Sequence, residues 1–146
     1  MPFETISRAA EAESAVWAKS LRDAPEHAAV FSPLAPPQLA VGLETIYEAY
    51  LVHYGTPRLF HARDVDEAIL LGDYLYAHGL VRIAEAGGVE AVAVLADLIS
   101  RCAAWRADRQ GGDGEAWVDA ARALGGTFSE DEARRALELH SGRVAP

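Results

Sequence analysis

Cysteine is nearly absent from this chain. The single Cys102 cannot close an intramolecular disulfide, so the 146 residues must hold their fold by packing. Set among Leu98, Ile99 and Ala103, that thiol reads as a small core residue rather than a nucleophile. Basic residues are scarce as well, 13 against 22 acidic ones for a formal charge of −9, and they are scattered singly. A phosphate backbone is bound by clustered Lys and Arg that release counterions, so nucleic acid is disfavoured as a partner, and an anionic membrane surface on the same ground. No apolar run suits a bilayer: the longest, Ala68 to Val81, is interrupted by Asp73 and His78 and falls short of about 20 residues. The opening Met1-Pro2-Phe3-Glu4 has no basic stretch leading into an apolar run, which predicts a cytoplasmic chain without a secretory signal. Ser20, Ser32, Ser100 and Ser129 sit in no Gly-x-Ser-x-Gly elbow, and His27, His53, His61, His78 and His140 show no zinc-ligand spacing.

Alternating β-branched runs are also missing. Apolar residues recur at helical spacing almost throughout instead, and a 51% hydrophobic composition is enough for one compact core. The expected architecture is an all-α bundle of about six helices in a single domain, residues 1–146. A first helix is predicted from Phe3 to about Arg22, ending ahead of Pro25, and Phe31 to Pro37 is a proline-stiffened connector. The second helix runs near Gln38 to Tyr54, with Leu43, Ile46, Tyr50, Leu51 and Tyr54 on one stripe, and stops at Gly55-Thr56-Pro57. Asp64, with Glu67 three residues on, caps a third helix that ends at Gly87-Gly88. Because that helix is apolar nearly all round from Ala68 to Ile83, it is expected in the middle of the bundle.

A fourth helix, Val89 to about Arg106, puts Val92, Leu95, Ala96, Ile99 and Cys102 on one face. A short one follows from Glu115 to Leu124, showing Trp117, Val118 and Ala121. Ser129 and Glu132 form a capping box for the last helix, with Phe128 placed to staple onto Ala133. Trp17, Trp105 and Trp117 are expected as core fillers. Gly72 and Gly79, seven apart on one helix face, predict a close helix–helix contact, since each glycine costs about 1 kcal/mol relative to alanine. Asp73, between them on an apolar helix, is expected either to be held by a Tyr hydroxyl, an Arg or backbone, or to line a pocket.

Two segments carry a resemblance: Leu43-Glu44-Thr45-Ile46-Tyr47-Glu48-Ala49-Tyr50-Leu51-Val52-His53, and Leu71-Gly72-Asp73-Tyr74-Leu75 about one helix later. Together they resemble the helix that carries the first aspartate-rich motif of trans-polyprenyl diphosphate synthases, and the Gly-Asp-aromatic-Leu helix that follows it. The likeness covers Leu43–His53 and Ala68 to about Leu98, well under half the chain. It implies the N-terminal half of an isoprenoid-synthase fold. Where the family continues from Leu-Val-His into Asp-Asp-x-x-Asp, this chain places Tyr54, Gly55 and Arg58 at the three aspartate positions. None of these supplies the hard carboxylate oxygens that magnesium prefers. No second such motif follows, and the family's Arg-Arg-Gly stretch is missing.

The resemblance therefore implies a chain without catalytic residues of its own, similar to the small noncatalytic subunit of heterodimeric long-chain synthases. Its expected partner is the catalytic subunit, or a second copy, and an apolar prenyl chain is a further expected contact; no cofactor or metal ligand set is expected. The aromatic cluster on the two family-like helices supplies pocket or interface candidates: Tyr47, Tyr50, Leu51, His53, Asp73, Tyr74 and Tyr76. Two alternatives stand beside this. One is a stand-alone helical module for binding or homodimerisation. The other is a metal-dependent enzyme built on Glu44, Glu48, His53, Asp73 and His78, which lacks the Glu-x-x-His pattern of di-metal bundles.

Overall fold

The computed structural model describes residues 1–144. Among them the chain is all helical: α1 (Pro2–Glu13), α2 (Ala15–Ser20), α3 (Ala40–Tyr54), α4 (Val65–Ala107), α5 (Asp113–Ala123) and α6 (Glu130–Ser141), with 3-10 turns at Ser32–Leu34 and Pro37–Leu39. Strand-type pairing among the described residues is limited to two isolated antiparallel bridges, Leu21 with Phe60 and Gly55 with Val144. No described helix is long and apolar enough to cross a membrane.

The expected Phe3–Arg22 helix is two helices. Ser14 adopts extended backbone (φ −160°, ψ 154°), and its side chain accepts a hydrogen bond from Trp17 N. A serine hydroxyl that can cap a new helix competes with continuing the old one. The break after Gly87 is also real, but abrupt: Gly88 has φ 77° and ψ −171°, so α4 bends there and continues with no loop between its arms, 65–87 and 89–107. A positive φ of this kind is open to glycine at little cost. Asp64 caps α4 by accepting from Glu67 N, while Glu67 turns back to the Arg63 N–H rather than to Asp64. The capping box at Ser129 and Glu132 is complete in both directions.

The helix in the middle of the bundle is α3, not α4. Every residue from Gly42 to Val52 is buried, including Glu44, Thr45 and Glu48. On one side Ile46, Tyr47, Tyr50 and Leu51 join a core with Leu95, Leu98, Cys102 and Trp117. On the other, Ala49 and Val52 join Phe3, Ile6, Leu59, Phe60, Leu71 and Leu75. In contrast, α4 leaves Val65, Ile69, Leu70, Val81 and Val89 at the surface, each between 50% and 83% exposed. The hydrophobicity pattern pointed to the wrong helix because α3 carries two glutamates whose neutralising partner is remote in sequence. Of the tryptophans, Trp117 is buried, whereas Trp17 and Trp105 are half-buried.

Helices α3 and α4 run antiparallel and touch closely at glycines. A Cβ on Gly79 would collide with Ile46, one on Gly72 would land within the His53 ring, and one on Gly42 would lie 2.6 Å from Ile83 Cδ1. Gly72→Leu is therefore expected to lower stability by roughly 1–3 kcal/mol through overpacking. An unchanged thermal midpoint would show that α3 and α4 do not meet at this position.

Candidate functional site

Two polar networks tie α3 into the bundle, and the first contains Arg58, one of the three positions that the resemblance aligns with the family's aspartates. Arg58 is fully buried. Its Nε donates to Glu48 Oε1 at 3.0 Å, and its Nη1 donates to Glu44 Oε1 at 2.6 Å and to Ala28 O at 2.8 Å. Glu48 Oε2 also accepts from the backbone N–H groups of Arg58 and Leu59, at 2.9 and 2.7 Å. Glu44 Oε2 accepts from Ser32 Oγ at 2.6 Å. The guanidinium lies 5.0 Å from the ring centroids of both Phe3 and Tyr47. Burial works against the charge on Arg58, but the Glu44 and Glu48 carboxylates outweigh it and hold the group protonated. One side chain thus locks the 55–60 turn, α1 and α3 together.

Tyr54 and Gly55, the other two positions that the resemblance aligns with aspartates, are committed to packing as well. Tyr54 stacks edge-on against Tyr50 at 5.1 Å, and Arg106 lies 5.6 Å from its ring centroid. Gly55 presses against the Arg143 carbonyl, so that a Cβ there would collide with backbone. Beside it, Thr56 N donates to Arg143 O at 2.8 Å. None of the three positions offers a carboxylate, and Gly55 has no room for one.

The second network joins α3 to α5 and α6. Asp113, at the start of α5, is buried. Its Oδ2 accepts from the Tyr50 hydroxyl and from Arg106 Nε, the latter at 2.8 Å, and Arg106 Nη2 donates to the Tyr50 hydroxyl oxygen at 2.8 Å. Tyr47 OH and His140 Nδ1 share a hydrogen bond of 2.8 Å. Burial pushes the His140 pKa down to about 4, so the imidazole is neutral near pH 7. Burial also raises both tyrosines well above the ordinary phenol range. Over this network lies a cleft of about 580 Å³, lined among others by Arg106, Arg109, the Gly111-Gly112 loop, Leu137 and His140. It can take a small polar molecule. Asp113 Oδ2 and His140 Nδ1 are held in internal hydrogen bonds, and the two residues are not set up as a nucleophile–base pair.

The predicted candidates are thus dispersed. Tyr47, Tyr50 and Leu51 lie inside the core, at 1% exposure or less, and are not surface residues. Tyr50→Ala would consequently report on folding rather than on association. Asp73, expected to be paired or pocket-lining, is 66% exposed, and among the described residues its ion-pair contact is His53 Nε2 at 3.8 Å. Tyr74, Tyr76 and His53 are half-buried around α4, with His53 edge-on to Tyr76 at 5.3 Å and Tyr74 close to His78 at 4.4 Å.

The proposed metal set does not assemble, because Glu44 and Glu48 are occupied by Arg58. Among the described residues no three His, Cys, Asp or Glu side chains converge as a metal site. Cys102 is buried and burial pushes its thiol up to about 12, which keeps it protonated and inert. Sequence reasoning missed the Arg58 lock and the Asp113 network. A signal for the first was present, in two glutamates one turn apart on an otherwise apolar helix. Comparison with protein-family models, curated proteins and solved structures finds no match to this chain.

Proposed function

We propose that this chain is a cytoplasmic, noncatalytic partner subunit of a polyprenyl diphosphate synthase, a prenyl-synthase-like helical hairpin that has given up its metal site. The observation that carries the reading is the use made of the three aspartate positions. Tyr54 fills a core edge, Gly55 lies against backbone, and Arg58 is buried between Glu44 and Glu48. The resemblance of 43–53 and 68–98 supplies the family, and the all-helical architecture is compatible with it. The mechanism is indirect. The catalytic subunit holds magnesium and both substrates, because magnesium bridges diphosphate to hard carboxylates that this chain does not present. The small subunit orders its partner or completes the wall along which the prenyl chain grows.

Purified chain is expected to release no pyrophosphate from an allylic diphosphate with magnesium. Mixed with the full-length synthase of the same organism, it is expected to change total prenyl product or product length. Magnesium-dependent pyrophosphate release by the chain alone, abolished by Asp73→Asn, would overturn the reading. So would a mixture whose products match those of the synthase alone.

The cleft above Asp113 and His140 favours a second reading, a stand-alone module that binds a small polar ligand. Equilibrium dialysis of the isolated chain against a metabolite mixture separates the two, since only the stand-alone module would retain a ligand without a partner.

A further inference from the structure

The first arm of α4 buries Leu71, Leu75, Gly79 and Ile83 and turns its opposite face to solvent. On that face Asp66, Ile69, Leu70, Asp73, Ala77 and Val81 recur at three- and four-residue spacing, which aligns them in one stripe. Ile69, Leu70 and Val81 are 50–61% exposed. A run of aliphatic side chains along one exposed helix face is the geometry by which helices seat in apolar grooves. The charge on the stripe has one sign only. Asp66 and Asp73 stand on it, Glu85 and Glu90 lie exposed beyond its end, and no Lys or Arg occurs from Val65 to Val81. Of the nearest cationic groups, Arg63 is exposed just ahead of α4 but is paired with Glu67 Oε1 at 2.9 Å, His78 and Arg82 are half-buried on the flank of the helix, and His53 reaches Asp73 only at 3.8 Å from the α3 side.

That asymmetry decides what can cover the face. A second copy packed on it would bring four carboxylates, from Asp66, Asp73 and their counterparts, into a shared interface with no exposed Lys or Arg of the stripe to pair them. Carboxylates buried without partners oppose association strongly. A partner that supplies guanidinium or ammonium groups beside an apolar stripe neutralises both acids and covers the aliphatic side chains at once. We infer that the outward face of the first arm of α4 is a docking surface for a different protein, which presents a helix with an apolar stripe flanked by arginine or lysine. This surface stands on its own observations and holds whether or not that partner is a synthase.

The test uses the full chain and three fluorescently labelled helical peptides. The first carries Leu at i, i+3, i+4 and i+7 with Arg flanks, the second the same stripe with Glu flanks, and the third is a scramble of the first. Anisotropy titration is expected to give a dissociation constant at least tenfold lower for the Arg-flanked peptide than for either control, rising with salt. Leu70→Asp, and separately the double substitution Asp66→Lys with Asp73→Lys, should each weaken binding at least tenfold while leaving the thermal midpoint unchanged. Leu139→Asp, on the exposed side of α6, should have no effect.

The inference is overturned if the Arg-flanked peptide does not bind, if the scramble binds equally well, or if the face variants bind like the unsubstituted chain. It is also overturned if light scattering finds a dimer that Leu70→Asp dissociates, since the occupant would then be a second copy. Peptide binding together with a silent mixed-subunit assay would retain the docking face and remove the synthase.

Discussion

Arg58→Ala is expected to destabilise the fold by about 3–5 kcal/mol, the usual cost of stripping one partner from a buried ion pair. Small domains have only about 5–15 kcal/mol in total, so a substantial unfolded population is expected at 37 °C and a much lower urea midpoint at 25 °C. Two carboxylates, Glu44 and Glu48, would be left at 1% exposure or less without their cation. The contacts of the guanidinium with Phe3, Tyr47 and the Ala28 carbonyl would be lost with it. Combining Arg58→Met with Glu44→Gln and Glu48→Gln should recover most of the loss, because neutral amides can still accept from the Arg58 and Leu59 backbone positions without a buried charge. If Arg58→Ala alone melts like the unsubstituted chain, the lock contributes nothing to stability and the 55–60 turn is held by other contacts.

Acid is expected to weaken the fold before the carboxylates titrate. His140 is pushed from 6.5 down to about 4 by its burial, with Arg106 also lowering it and Asp113 and Glu115 opposing. The folded state therefore binds this proton less readily than the unfolded chain does. The stabilisation is complete above pH 6.5 and is lost progressively as the pH falls towards 4, about 3 kcal/mol over the whole window. Structurally, protonation would put a charge beside Phe31 and Tyr47 and oppose the docking of α6. Urea midpoints at pH 7, 6, 5 and 4.5 should fall steadily, and His140→Gln should flatten that slope by about one proton. The stabilisation from the Glu67 carboxylate, held below the usual range by its hydrogen bond and ion pair with Arg63, is lost only at lower pH. An unchanged slope in His140→Gln would show that His140 is not the group responsible.

Much of the helical plan is legible in local sequence. The caps at Asp64 and Ser129 lie where a side-chain oxygen meets a free N–H three residues on, a relation contained within one turn. The breaks at Gly55 and Gly88 follow from glycine and proline chemistry, and the contact made by Gly72 and Gly79 from their spacing. The split at Ser14 was just as local but weaker, because serine is tolerated within a helix and only becomes a cap when the chain bends.

The candidate site was less legible, for a different reason. Tyr47 and Tyr50 read as interface aromatics because nothing near them in sequence satisfies a hydroxyl. Their partners, His140 and Asp113, lie 93 and 63 residues away. Asp73 read as buried because its neighbours are apolar, yet helical spacing cannot tell which of two apolar faces meets the core.

What the sequence determined by itself is set by short-range physics: the all-helical class, the positions of caps and breaks, and the small apolar setting of Cys102. What the tertiary structure alone decided is set by pairings across the bundle. Arg58 comes within reach of Glu44 and Glu48 only after the chain turns back along α3, and that neutralisation makes α3 the central helix. With α3 in the centre, α4 meets it along the glycine face and leaves Ile69, Leu70 and Val81 exposed, because a helix apolar on both sides is buried only on the side that finds a neighbour.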